Sequence, residues 1–139
     1  MRWAAAGVAA ALLVACGPAD PPVQRVYIAL GEPTGLDPTA VASVVVAAVH
    51  DPGPTCVVSA GSNTCAELTS IDLARKATGY VSQTTITINT GSSARLPDLP
   101  RGRTCFVAEA RSVASSSLAT GCADVTLELD QHVIEILLQ

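Results

Sequence analysis

Apolar and polar residues alternate with a period of two in several stretches of this chain, the spacing that buries one side of a β-strand and leaves the other in water. Thr85, Ile86, Thr87 and Ile88 put both isoleucines on one face. Val125, Leu127 and Leu129 share a face, with Thr126, Glu128 and Asp130 opposite, and Phe106, Ala108 and Ala110 line one side of a strand predicted to begin near Thr104. Residues 26–30 predict the strand that opens the domain and residues 132–138 the strand that closes it. Clusters of Gly, Pro, Asn and Asp at 31–35, 51–54, 89–93 and 96–102 supply turns between these runs, at the cadence of a β-sandwich.

Two stretches carry mixed signals. Asp37-Pro38 offers a helix N-cap followed by a first-turn proline. The β-branched run Val44-Val45-Val46 behind it prefers a pleated surface, so residues 40–50 are expected to form a strand. Residues 71–77 fit either a strand or a short helical turn.

The first twenty residues follow a different pattern. Met1, Arg2 and Trp3 make a short positive start, and residues 4–14 are apolar throughout apart from Gly7. A bilayer span needs about twenty apolar residues. This stretch is shorter, and has the layout of a secretion signal. It ends in Leu13-Val14-Ala15-Cys16, which resembles the lipobox of bacterial lipoproteins. In that family the cysteine thiol receives a diacylglyceryl group, the chain is cut just before it, and the new amino terminus is usually acylated as well. More than one acyl chain on one residue makes an anchor that does not exchange off the membrane. The resemblance implies a signal peptide and signal helix over 1–15, a lipidated, proline-rich tether over 16–24 and one domain over 25–139. Gly17 in place of Asp after the cysteine implies passage to the outer membrane.

Composition narrows the rest. A chain of 139 residues suits a single domain. Hydrophobic residues make up 49% and aromatic residues only 3%, so the core must be built from Ala and Val, and cross-links would help it. The net charge is −4, and the only close basic pairs are Arg75-Lys76 and Arg101/Arg103. Without a basic cluster to meet phosphates, no nucleic-acid partner is expected.

Setting Cys16 aside leaves Cys56, Cys65, Cys105 and Cys122, an even number that reads as two disulfides in a secreted chain. Structural zinc sites use cysteine pairs two to four residues apart, and these spacings are wider. Three pairings are open, and sequence does not choose among them. The expectation adopted is the nearest-neighbour one, Cys56 to Cys65 and Cys105 to Cys122, with each bridge contributing about 3 kcal/mol through loop closure.

Catalytic chemistry is poorly supplied. The available imidazoles are His50 and His132, and there is no Gly-x-Ser-x-Gly elbow. His132 is expected at the surface, and His50-Asp51 leads into Asp51-Pro52-Gly53-Pro54, which is turn chemistry. Glu109, Glu128, Asp130 and Glu135 fall on strand positions expected to face water, and Asp37, Asp51 and Asp98 on separate turns without the ligand density of a calcium loop. Residues 61–64 and 91–93 are too short to cradle phosphate. No cofactor, no metal and no enzymatic activity are expected.

The last third carries a second resemblance. Leu96-Pro97-Asp98-Leu99-Pro100-Arg101-Gly102, the strand with Phe106, Ala108 and Ala110, then Leu118-Ala119, Gly121-Cys122, Val125, Leu127 and Leu129, and finally residues 133–138 are together similar to the carboxypeptidase-regulatory or transthyretin-like β-sandwich. An immunoglobulin-like order remains open, although the Cys-Trp-Cys pattern is missing because Trp3 lies in the leader. The expected fold is all-β, a single antiparallel β-sandwich. The expected function is that of an envelope lipoprotein, membrane-bound through Cys16, whose non-catalytic sandwich serves binding, adhesion or structure toward a protein or glycan partner. Two alternatives stand beside it. A small periplasmic enzyme or accessory subunit would bring a His and a Ser together, and a carbohydrate- or peptide-binding module would show a concave face lined by Tyr27, Tyr80 or Phe106.

Overall fold

The computed structural model describes residues 21–23, 25–30, 36–56, 65, 67–87, 93–96 and 98–139. The leader, the lipobox with Cys16 and most of the tether lie outside the described residues. Among the described residues, no helix is long and apolar enough to cross a membrane.

The chain folds as the all-β sandwich its alternation predicts. Its strands are β1 (Arg25–Leu30), β2 (Ser43–His50), β3 (Tyr80–Thr87), β4 (Ser93–Leu96), β5 (Gly102–Arg111), β6 (Ser117–Leu127) and β7 (Gln131–Ile136). They form a four-stranded sheet in the order β3-β2-β5-β6 and a three-stranded sheet in the order β4-β1-β7. Every pairing in the larger sheet is antiparallel. The smaller sheet departs from the purely antiparallel expectation, because β1 runs parallel to β7 while pairing antiparallel with β4. The two sheets also meet at one seam, where Thr120 of β6 and Gln139 exchange both backbone hydrogen bonds at 3.0 Å.

The core between the sheets takes Val26 and Ile28 from β1, Leu96 from β4, and Ile134 and Ile136 from β7. Facing them are Val44, Val46 and Ala48 of β2, Ile86 of β3, Phe106, Ala108 and Ala110 of β5, and Leu127 of β6. Phe106 is fully buried and is the largest side chain of this layer. Small residues elsewhere let the sheets close around it.

The central strands of the larger sheet, β2 and β5, are buried on both faces, which explains why β2 reads as a continuous apolar run and not as an alternation. The outer face of this sheet carries Val45, Ala47 and Val49 of β2 with Cys105 and Val107 of β5, and it is covered by Leu68, Ile71 and Ala74. Ile71 and Ala74 belong to a single short helix, α1 (Ile71–Lys76), so the ambiguous stretch at 71–77 is helical. Ser70 caps it, its Oγ accepting from the Leu73 N–H at 3.2 Å. A helix of six residues has little stability alone, and tertiary packing must hold it.

Both signals at 37–50 are realised in succession. Asp37 caps a single 3-10 turn at Pro38–Ala40, and the strand begins only at Ser43. Leu129 departs from expectation: β6 ends at Leu127, and Leu129 lies exposed in the turn before β7. Ile88 lies outside the described residues. Where the chain passes from α1 into β3, Gly79 runs directly against the His50 backbone, and its carbonyl accepts from the His50 N–H at 2.7 Å. A Cβ at position 79 would collide with that strand, so only glycine fits.

Candidate functional site

The outer face of the larger sheet gathers most of the unusual side chains. Alternation along β5 turns Arg103, Cys105, Val107, Glu109 and Arg111 toward this side, opposite Phe106, Ala108 and Ala110. Cys122 of β6 pairs in register with Val107, and Asp124 with Cys105, so both lie on the same face.

Four cysteines meet here, all buried. Cys56 is bridged to Cys105, with Cα atoms 6.0 Å apart, and Cys65 to Cys122, with Cα atoms 5.6 Å apart. The expectation of two disulfides holds, but the nearest-neighbour pairing is replaced by one that crosses from the segment after β2 to the neighbouring strands β5 and β6. The reason lies in the sheet. Cys105 and Cys122 occupy diagonal positions on neighbouring strands, and each takes a partner from the covering segment above. The loops closed span 49 and 57 positions, so loop-closure entropy contributes on the order of 4 kcal/mol for each bridge. The two bridges lie against one another, with Cys56 Sγ 3.6 Å from Cys65 Sγ and Cys105 Sγ 3.7 Å from Cys122 Sγ.

Charged groups flank this sulfur layer on both sides. Arg103 donates to both carboxylate oxygens of Asp124 at 2.9–3.1 Å, to the Gly53 carbonyl at 2.8 Å and to the Cys56 carbonyl at 2.9 Å. The hydrogen bond to Asp124 raises the guanidinium pKa above its ordinary value. One planar fork thus ties a turn, a bridged cysteine and a strand together. On the other side, Glu109 is 7% exposed, against the expectation that it faces water. Its Oε2 accepts the Ile71 N–H at the start of α1 at 3.1 Å, and its Oε1 accepts from Arg111 Nε at 3.0 Å. The carboxylate is buried because it satisfies a helix-start donor that has no intrahelical partner.

The remaining sequence candidates disperse. Asp37 accepts from the Thr39 hydroxyl at 2.7 Å and from its N–H at 2.9 Å, and the hydroxyl bond, then the backbone bond, hold its carboxyl below the usual range. Asp98 faces Arg95 at 4.0 Å, and Asp51 occupies a turn with φ of 45°. Glu128, Asp130 and Glu135 are exposed as expected. Among the described residues His50 Nδ1 is buried without a hydrogen-bond partner, and His132 Nε2 accepts from the backbone N–H groups of Glu128 at 3.2 Å and Leu129 at 3.0 Å. Neither histidine is hydrogen-bonded to a serine among the described residues. Tyr27 and Tyr80 are half-buried on different sheets, and Phe106 is in the core, so these three do not line one concave face.

In the sequence Arg101 and Arg103 stand out only as a close basic pair, with nothing to show what they hold. Arg101 Nε donates to the Pro21 carbonyl at 2.9 Å, and the same guanidinium reaches the Glu128 carbonyl and the Asp130 carboxylate. It thereby pins the segment before β1 to the turn between β6 and β7. A cleft of about 560 Å³ opens there, lined by Pro21, Arg101, Gly102, Thr126, Leu127 and Glu128.

Comparison with protein-family models, with curated proteins and with solved structures finds no match to this chain.

Proposed function

We propose that this chain is a bacterial envelope lipoprotein, anchored through lipid on Cys16, whose β-sandwich is a non-catalytic module for binding, adhesion or structure. The observation that carries this reading is Leu13-Val14-Ala15-Cys16 closing an apolar stretch too short to span a bilayer. Two buried disulfides add support, because such bridges form and persist in oxidising compartments outside the cytoplasm. Gly17 favours the outer membrane as the destination. The proposed kinship of the sandwich is with the carboxypeptidase-regulatory or transthyretin-like modules, on the Leu-Pro turn at 96–102 and the strands that follow it.

Metabolic labelling with a radioactive or clickable fatty acid tests the anchor. The wild-type chain should take up label and sediment with membranes, whereas Cys16→Ser should remain unlabelled and uncut. Equal labelling of the two would overturn the proposal.

A further inference from the structure

We propose that the four-cysteine layer is a redox-gated site for a soft divalent cation, zinc above all, closed while both bridges stand and opened when they are reduced. The four Sγ atoms all lie within 4.8 Å of one another. Between the bridges the separations are 3.2 Å for Cys65 and Cys105, 3.6 Å for Cys56 and Cys65, 3.7 Å for Cys105 and Cys122, and 3.8 Å for Cys56 and Cys122. A tetrahedral zinc with bonds of about 2.3 Å to sulfur has edges of about 3.8 Å between its ligands. Three of the six edges therefore stand within about 0.2 Å of the required length already, and the Cys65–Cys105 edge is about 0.6 Å short of it. The other two are the bridges themselves, which open by side-chain rotation once cut.

Local spacing gives no hint of this arrangement, because the ligands come from separate places in the chain. Cys105 and Cys122 sit on the paired strands β5 and β6, which fixes two corners on one sheet. Cys56 and Cys65 descend from the covering segment. All four are at most 5% exposed. An all-sulfur set selects zinc and other soft ions over magnesium or calcium, which need oxygen. The site as bound would carry net negative charge, and Arg103, donating to the Cys56 carbonyl at 2.9 Å, brings a guanidinium to its border.

Each bridge accepts two electrons and two protons from a dithiol, which closes to its own disulfide, and leaves two thiols. The cation then displaces the thiol protons, since the ligand is the thiolate. Bridged sulfurs are not thiolates, so oxidation and metal binding exclude one another.

The test uses the full chain with Cys16→Ser, so that the clustered cysteines are the only thiols. It is reduced with a water-soluble phosphine under inert gas and titrated with Co²⁺. One cobalt per chain should bind with the intense visible bands of tetrahedral thiolate coordination, Zn²⁺ should displace it, and the oxidised chain should give no such spectrum. Cys122→Ser, measured reduced, should weaken binding by about tenfold or more, since loss of a ligand exceeds the loss of an outer-shell partner. If reduction unfolds the chain, Zn²⁺ should restore its far-ultraviolet dichroism. A reduced chain that takes up no cobalt, binds it octahedrally, binds equally well after Cys122→Ser, or stays unfolded with zinc would overturn the proposal. The outcome is independent of fatty-acid labelling at Cys16, so the two proposals fail separately.

Discussion

Replacing Glu109 separates the contribution of its buried charge from that of the space it fills. Its carboxylate satisfies the Ile71 N–H and faces Arg111, whose side chain is 25% exposed. A hydrogen bond to a charged group contributes about 1.5–3 kcal/mol. The Arg111 pair adds no more than about 1 kcal/mol, because the guanidinium is partly solvated. Glu109→Ala should therefore cost about 3 kcal/mol, a large share of the roughly 5–15 kcal/mol that stabilises a domain of this kind. Glu109→Gln keeps an oxygen for Ile71 and loses only the ion pair, so it should cost about 1 kcal/mol. Urea unfolding of the oxidised protein at constant m-value measures both, and amide exchange at Ile71 locates the effect at the start of α1. An alanine variant costing less than about 1 kcal/mol, or a glutamine variant as damaging as alanine, would refute the assignment of Glu109 as the anchor of the helix.

Three further outcomes are expected. Non-reducing tryptic digestion should yield one species joining residues 26–75 to both 104–111 and 112–139, as Cys56–Cys105 and Cys65–Cys122 require; a separate pair of 104–111 with 112–139 would show the nearest-neighbour bridges instead. Phe106→Ala should cost about 3–5 kcal/mol in urea unfolding, since it removes the largest fully buried side chain from between the sheets, and a cost below about 2 kcal/mol would mean that the sheets collapse onto the gap. His132→Ala should cost about 1 kcal/mol and speed amide exchange at Glu128 and Leu129, whose N–H groups lose their acceptor; unchanged exchange there would show that the bond is not made in solution.

The inner face of the fold was legible because period-two patterning reports a half-buried strand directly: Phe106, Ala108 and Ala110 were read onto one face and lie in one core. The outer face was harder to read. Glu109 falls on a strand position that alternation with Phe106, Ala108 and Ala110 turns toward water, although Cys105 and Val107 on the same side mark that face as covered. The helix over it is ambiguous in the sequence because six residues hold too few turns to show a period. The disulfide pairing was illegible for a different reason. Nearness in sequence measures loop-closure entropy, whereas the partners here are chosen by which strand positions lie diagonally across a sheet. What Arg101 and Arg103 hold is hidden in the sequence because several of their partners are backbone carbonyls, which no side-chain pattern announces, and their carboxylate partners Asp130 and Asp124 come from distant positions.

The hold of Arg101 on Pro21 also gives the molecule a polarity. From that point β5 runs ten residues to the opposite pole, a rise of about 30 Å, where the hairpin leading into β6 turns through residues 112–116. Val113, 92% exposed, stands at that tip. A protein leashed through Cys16 would keep its Pro21 pole toward the lipid headgroups and turn the Val113 hairpin away from them, offering it to whatever approaches from beyond the bilayer.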